Sequence, residues 1–310
     1  MKYRKEGRYA GNFRTCGCFI AIIILGYILR KINFFKEGDF TVISKIVLKI
    51  TLPAAIVSSF AGKEIDIALL SLALISITQG IIYMIVMYVI NVKRGKDAQA
   101  FEILNTAGSN IGNFTLPFAQ SFLGPMGVIT TSLFDVGNAC ICLGGAYGVA
   151  SIVKGGGKFS PLKIIKALSK SVAFDTYIVM VLLLIFNLKL PGVVVSFAEI
   201  IASANAFMAM FMIGVGFKLS GDRSQIGSIV RVLAVRYSIA AALAVVCYTL
   251  LPFSLEVRQA LVILVFSPIA SAAPAFTGDL KGDVGLSSAI NSISIVCSIV
   301  IIVLLLVFML

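Results

Sequence analysis

The sequence predicts an all-α polytopic membrane protein: ten transmembrane helices arranged as two five-helix repeats, the second inverted relative to the first. Three observations predict it. The 310 residues are 59% hydrophobic and only 13% charged, with a mean hydropathy of +1.03. Apolar runs of about 18 residues or more recur along the chain, each long enough to cross a hydrocarbon core of about 30 Å. The two halves also correspond at a period near 156 residues, and each carries a helix-breaking stretch in its fourth segment.

The segments follow in order. Residues 1–14 are polar and basic, with Lys2, Arg4, Lys5, Arg8 and Arg14. Segment one is 15–29, closed by Arg30 and Lys31. No Ala-x-Ala-like cleavage site follows it, so it reads as a span and not as a secretory leader. Segment two, 40–60, carries Pro53 and sets Lys45 and Lys49 one helical turn apart. Lys49 reads as a side chain that snorkels to the interface. Segment three is 65–92, segment four 100–123 and segment five 126–153. A Lys-Gly-Gly-Gly-Lys connector at 154–158 lacks the glycine spacing and the following Ser or Thr of a phosphate loop, and reads as a flexible basic link. Segments six to ten are 164–188, 193–219, 226–251, 256–276 and 284–310. Glu199 lies toward the end of its segment, where a solvated face is expected. The repeats are therefore 1–153 and 154–310, together one integral membrane unit.

Segment four holds Ser109-Asn-Ile-Gly-Asn-Phe-Thr-Leu-Pro-Phe118, a poor recipe for a continuous helix. Pro117 has no N–H for the carbonyl of Asn113, and Gly112 weakens the turn before it. In hydrocarbon a freed carbonyl survives only where protein or a wet cavity meets it. A lone proline would read as a packing kink. Segment nine, however, contains Phe266-Ser-Pro-Ile-Ala-Ser-Ala-Ala-Pro-Ala-Phe276, and Pro274 lies 157 residues after Pro117. The starts of segments five and ten are 156 apart, and at that offset Asp135 corresponds to Asn291. Twice the period is close to the whole chain. Five helices per half turn the second copy upside down, and paired broken helices at an inverted-repeat interface are where secondary transporters bind substrate.

Charge sets the expected orientation. The one–two, three–four, five–six, seven–eight and nine–ten connections hold sixteen Lys and Arg, among them Arg231 and Arg236, against three on the opposite side (Lys63, Lys189 and Arg258). Positive-inside bias places the richer set in the cytoplasm and both termini outside. The basic N-terminal tail runs against this, and either a short tolerated tail or a mis-assigned start accounts for it.

Composition also excludes classes. The net charge of +12 belongs to membrane loops, which removes nucleic acid as a partner. There is no histidine, and the six cysteines (16, 18, 140, 142, 247 and 297) lack zinc-ligand spacing, so neither a metal nor another cofactor is expected. With no nucleophile–base pair and no paired mid-membrane carboxylates, an enzyme is not expected.

Four stretches carry a resemblance: Leu25-Gly-Tyr-Ile-Leu-Arg-Lys31, Asn110-Ile-Gly-Asn-Phe-Thr-Leu-Pro117, Met212-Ile-Gly-Val-Gly-Phe-Lys-Leu219 and Ser267-Pro-Ile-Ala-Ser-Ala-Ala-Pro274. Together they resemble the auxin efflux carrier family, which includes bacterial malate and malonate permeases and PIN-type carriers. The resemblance implies the bile-acid-transporter-like fold, helices 4 and 9 crossing at their broken centres, a homodimer in the cell membrane, and an organic-anion substrate. Segment nine lacks the acidic and Gln ligands of sodium-coupled bile-acid carriers, which weakens the alternative of a cation-coupled symporter of that type.

Half-helix N-termini with amides and hydroxyls suit a carboxylate without a fixed charge. The expected substrate-binding residues are Asn110, Gly112, Asn113, Thr115 and Pro117 in segment four, Ser267, Pro268, Ser271 and Pro274 in segment nine, and Asn291. Asp135 is about nine residues into segment five, roughly 13 Å deep at 1.5 Å per residue. An ionisable group at that depth is a coupling candidate for a proton or sodium, with Asn138 one turn along. The expected function is a permease that moves a small organic anion by alternating access; a receptor, an enzyme or a channel is the lesser alternative.

Overall fold

A computed structural model describes residues 2–36, 38–63, 66–156, 160–217 and 225–309. Ile65, Gly157, Lys158, Lys218, Leu219, Arg223 and Leu310, named above, lie outside the described residues. The described chain is 84% helix and contains no strand. Helix is what apolar sequence dictates where no water can take up backbone N–H and C=O groups.

The helices are α1 (Lys2–Lys31), α2 (Asp39–Phe60), α3 (Ile67–Ile90), α4 (Lys96–Ala107), α5 (111–123), α6 (124–154), α7 (Pro161–Leu168), α8 (Val172–Ile185), α9 (Gly192–Gly216), α10 (Ile226–Thr249), α11 (Leu255–Val265), α12 (Ala273–Asp279) and α13 (Val284–Met309). By length and apolar composition six helical runs among the described residues can cross a membrane: α2, α3, the continuous stretch of α5 and α6, α9, α10 and α13.

Local chemistry explains the ends. Asp66 accepts a hydrogen bond from the N–H of Ala68 at the start of α3, and Ser171 caps α8 through the N–H of Phe174. Between α5 and α6 the chain turns at Gly124 with φ 63°, a conformation that glycine alone adopts without strain, and Pro125 opens α6 in its first turn. Segment six is two short helices, α7 and α8, divided at 169–171. The core gathers α1, α2, α5, α6, α8 and α11 around aromatic contacts of Phe19, Phe118 and Phe122 and the buried rings of Phe60, Phe114 and Phe134.

Two expectations are corrected here. Pro117 does not break its helix. It stands in a three-residue α-turn between wide π-turns at Ile111–Thr115 and Ala119–Leu123, which absorb the missing N–H without opening the chain. The interruption lies earlier, at 108–110. Arg231 and Arg236, counted above as loop charges, are inside α10, and Arg236 is fully buried. Losing two of sixteen leaves the loop-charge asymmetry in place.

Candidate functional site

Two interruptions meet. α4 ends at Ala107, and Gly108 and Asn110 adopt non-helical backbone (φ −90°, ψ 151° and φ −87°, ψ 79°) before α5 begins. α11 ends at Val265, and helix resumes only at Ala273. The N–H of Asn110 donates to the carbonyl of Pro268 (2.8 Å), and the N–H of Ala270 donates to that of Gly108 (3.1 Å). Ser109 and Ile269 thus form a one-residue antiparallel bridge. Each broken helix satisfies part of the backbone that the other leaves bare, which is what makes a double break tolerable in an apolar setting.

Side chains of α6 and α13 hold the two sides of this bridge. The Asn138 amide of α6 accepts from the N–H of Ser109 (2.9 Å) and donates to its carbonyl (2.7 Å). In α13 the work is divided. Ser294 accepts from the N–H of Ile269 (3.1 Å), and Asn291 donates to the carbonyls of Ile269 (3.0 Å) and Ala270 (3.1 Å). Residues 138 and 294 have the same sequence spacing as 135 and 291.

Asp135 is tied to this frame. Its Oδ1 accepts from the Asn138 amide (2.9 Å) and its Oδ2 from the hydroxyl of Tyr177 on α8 (3.1 Å). Gly112 lies alongside: a Cβ there would stand 3.1 Å from Asp135 Oδ2. Arg236 closes the other side. Its guanidinium donates to the carbonyl of Thr106, to Ser109 Oγ (3.0 Å) and to the carbonyls of Ser267 (2.9 Å) and Pro268 (3.5 Å).

The remaining expected residues fall around this frame. Thr115 and Ser267 are fully buried and share one hydrogen bond of 2.6 Å between their hydroxyls. Asn113 is half-buried, and its Oδ1 is enclosed without a hydrogen-bond partner. Pro274 sits in the first turn of α12, while Ser271 is exposed. Tyr177, Ser294 and Arg236 were not singled out from the sequence. For Arg236 the usable signal was its depth, ten residues inside an apolar segment.

A second polar cluster is centred on Glu102, midway along α4. The buried carboxylate of Glu102 meets the guanidinium groups of Arg94 (2.6 Å) and Arg231 and the amide of Asn91 (2.7 Å). It joins α4 to α10 across the two halves of the chain.

A known family covers the first break and everything that follows it as far as α6. Residues 18–155 match the family described as membrane transport protein, that of the auxin efflux carriers. No curated protein matches the sequence. The matched residues include Asn110, Asp135 and Asn138, one side of the paired frame. Arg236 and the second break lie beyond the matched residues.

Proposed function

We infer that the protein is a secondary transporter that carries a small organic anion, such as a carboxylate, across the cell membrane by alternating access. Its two five-helix repeats are inverted, segments four (100–123) and nine (256–276) cross, and substrate binds where they do. The observation that carries this reading is the pairing of two helix interruptions, backbone to backbone, followed in the first turn of α5 by Asn113, whose amide oxygen is enclosed and unused. An amide can turn either its NH2 or its oxygen toward a ligand, so Asn113 can donate to a carboxylate. Support for an anion comes from the N-terminal turn of α5, whose first N–H groups have no helical acceptor. The basic connections lie in the cytoplasm and both termini outside, and a cysteine introduced as Lys281→Cys should then react with impermeant reagents only from the cytoplasmic side.

Counterflow of labelled mono- and dicarboxylates in proteoliposomes tests the function. At least one acid should accumulate transiently against its gradient when the same acid is trapped inside. Downhill flux without counterflow would make the protein a channel, and failure of every acid would remove the anion reading.

Two substitutions refine it. Asn113→Ala should weaken substrate affinity by roughly ten- to a hundredfold, the worth of a hydrogen bond to a charged ligand at about 1.5–3 kcal/mol. Its melting temperature should change little, because no protein group loses a partner. A lowered melting temperature with normal affinity would make Asn113 a structural residue. Asp135→Asn should abolish stimulation by a pH gradient and leave exchange intact, since Asp135 is the carboxylate held within the frame. Full gradient dependence in that variant would place proton coupling elsewhere.

A further inference from the structure

We propose that Arg236 is a tethered cation built into the meeting point of the two breaks, occupying the position that a bound inorganic cation would otherwise need to fill. It is a positioning residue: it holds the two interruptions in register and leaves this point of the site independent of sodium or potassium.

The argument starts from the helix ends. α4 and α11 both terminate at the frame, and a helix C-terminus carries unpaired carbonyls and a partial negative charge. Two such ends in one place repel each other and have no water to turn to. The oxygens at that place are the carbonyls of Thr106, Ser267 and Pro268 and the hydroxyl of Ser109. An all-oxygen set of carbonyls with one hydroxyl is a donor set for a hard cation. In this chain the cation is the guanidinium of Arg236, whose terminal nitrogens reach all four oxygens. The residue is fully buried, and its charge is backed by the face of Tyr83, with the guanidinium carbon 5.0 Å from the ring centroid. The Tyr83 hydroxyl in turn donates to the backbone carbonyl of Arg236 (3.3 Å).

Arginine suits this task. Its charge is permanent and its planar fork spans several acceptors, where lysine would offer a single point. The guanidinium bridges the halves, because Thr106 and Ser109 precede α5 while Ser267 and Pro268 follow α11. No carboxylate pairs with it among the described residues, so the carbonyl ends are what its charge neutralises.

Thermal unfolding of the purified full-length protein in detergent, at constant ionic strength, tests the proposal. The wild-type midpoint should be the same in sodium, potassium and choline chloride. Arg236→Ala opens a cage of four oxygens and should melt lower. About 10 mM guanidinium, refilling that cage, should raise its midpoint by about 5 °C relative to choline while leaving wild type unchanged. A gain by wild type in sodium over choline would overturn the proposal, as would an Arg236→Ala protein that melts like wild type or responds alike to every cation. Where Arg236→Ala does not yield folded protein, Arg236→Lys and Arg236→Met decide. Recovery with Lys and not with Met supports a required charge, and equal loss or equal recovery overturns it.

Discussion

Replacing Asn138 with alanine is expected to be among the most damaging single changes in the molecule. The amide is the partner of both the N–H and the carbonyl of Ser109, and it also donates to Asp135. Ser109 is buried, and its backbone has left the helical ladder. Two buried backbone groups without partners cost about 1–3 kcal/mol each, so Asn138→Ala should lose about 2–6 kcal/mol. Cys142 already lies 3.5 Å from the Ser109 carbonyl and softens the loss slightly. Asn138→Asp should be no better, since it keeps the acceptor for the N–H but removes both donations and sets a carboxylate against Asp135. Asn138→Ser should retain part of the stability, because Ser294 performs the N–H half of this task at the matching place in α13. Melting temperature and counterflow on the three variants check the order. An alanine variant with wild-type values in both would show that the bridge holds without the amide.

Gly214→Val should prevent folding, for a different reason. α1 and the second half of α9 approach so closely that a Cβ on Gly214 would overlap the carbonyl oxygen of Ile23, and one on Gly26 would come 2.6 Å from that of Phe211. Those atoms are backbone in rigid helices and cannot step aside. Close approach of this kind is how helices associate in lipid, where hydrophobicity supplies no preference for protein over solvent. Overpacking by a single methyl costs about 1–3 kcal/mol, so Gly214→Ala should be destabilised by that much and Gly214→Val by more. Gly227→Ala, on a face of α10 where nothing lies within 4 Å, is the control and should keep wild-type stability. Yields of monodisperse protein after detergent extraction read both, and a normal yield of Gly214→Val would mean that the α1–α9 contact is looser than its geometry.

Much of the helical framework was legible because apolar length and basic punctuation are read directly from composition. The expected segment 40–60 is α2 at Asp39–Phe60, and 226–251 is α10 at Ile226–Thr249. The break was legible as a stretch but not as a position. Proline was the obvious signal, yet a π-turn on either side of Pro117 absorbs its missing N–H, while the actual opening falls at Gly108, Ser109 and Asn110. A gap of this sort depends on a partner strand 160 residues away, which no local pattern contains. Arg236 was misread for a related reason: the count that assigns loop charge does not distinguish a side chain reaching for water from one enclosed by carbonyls. Asp135 stood out by depth alone, but its partner Tyr177 is one tyrosine among nine until α8 packs against α6.

The wide turns have one more consequence. Those at Val47–Thr51, Ile111–Thr115 and Ala119–Leu123, with the kinked one at Ile141–Gly145, all precede the Gly-rich connector, and the described residues of the second half contain none. A π-turn stores one residue more than the α-turn it replaces, like a dislocation in a crystal row. Moving that dislocation along the helix exchanges one backbone hydrogen bond at a time, so the chain can advance by a residue without baring its backbone. Each such step swings the side chains beyond it by about 100°. The first half of the molecule therefore holds the turns along which such a step can run, and the described residues of the second half hold none.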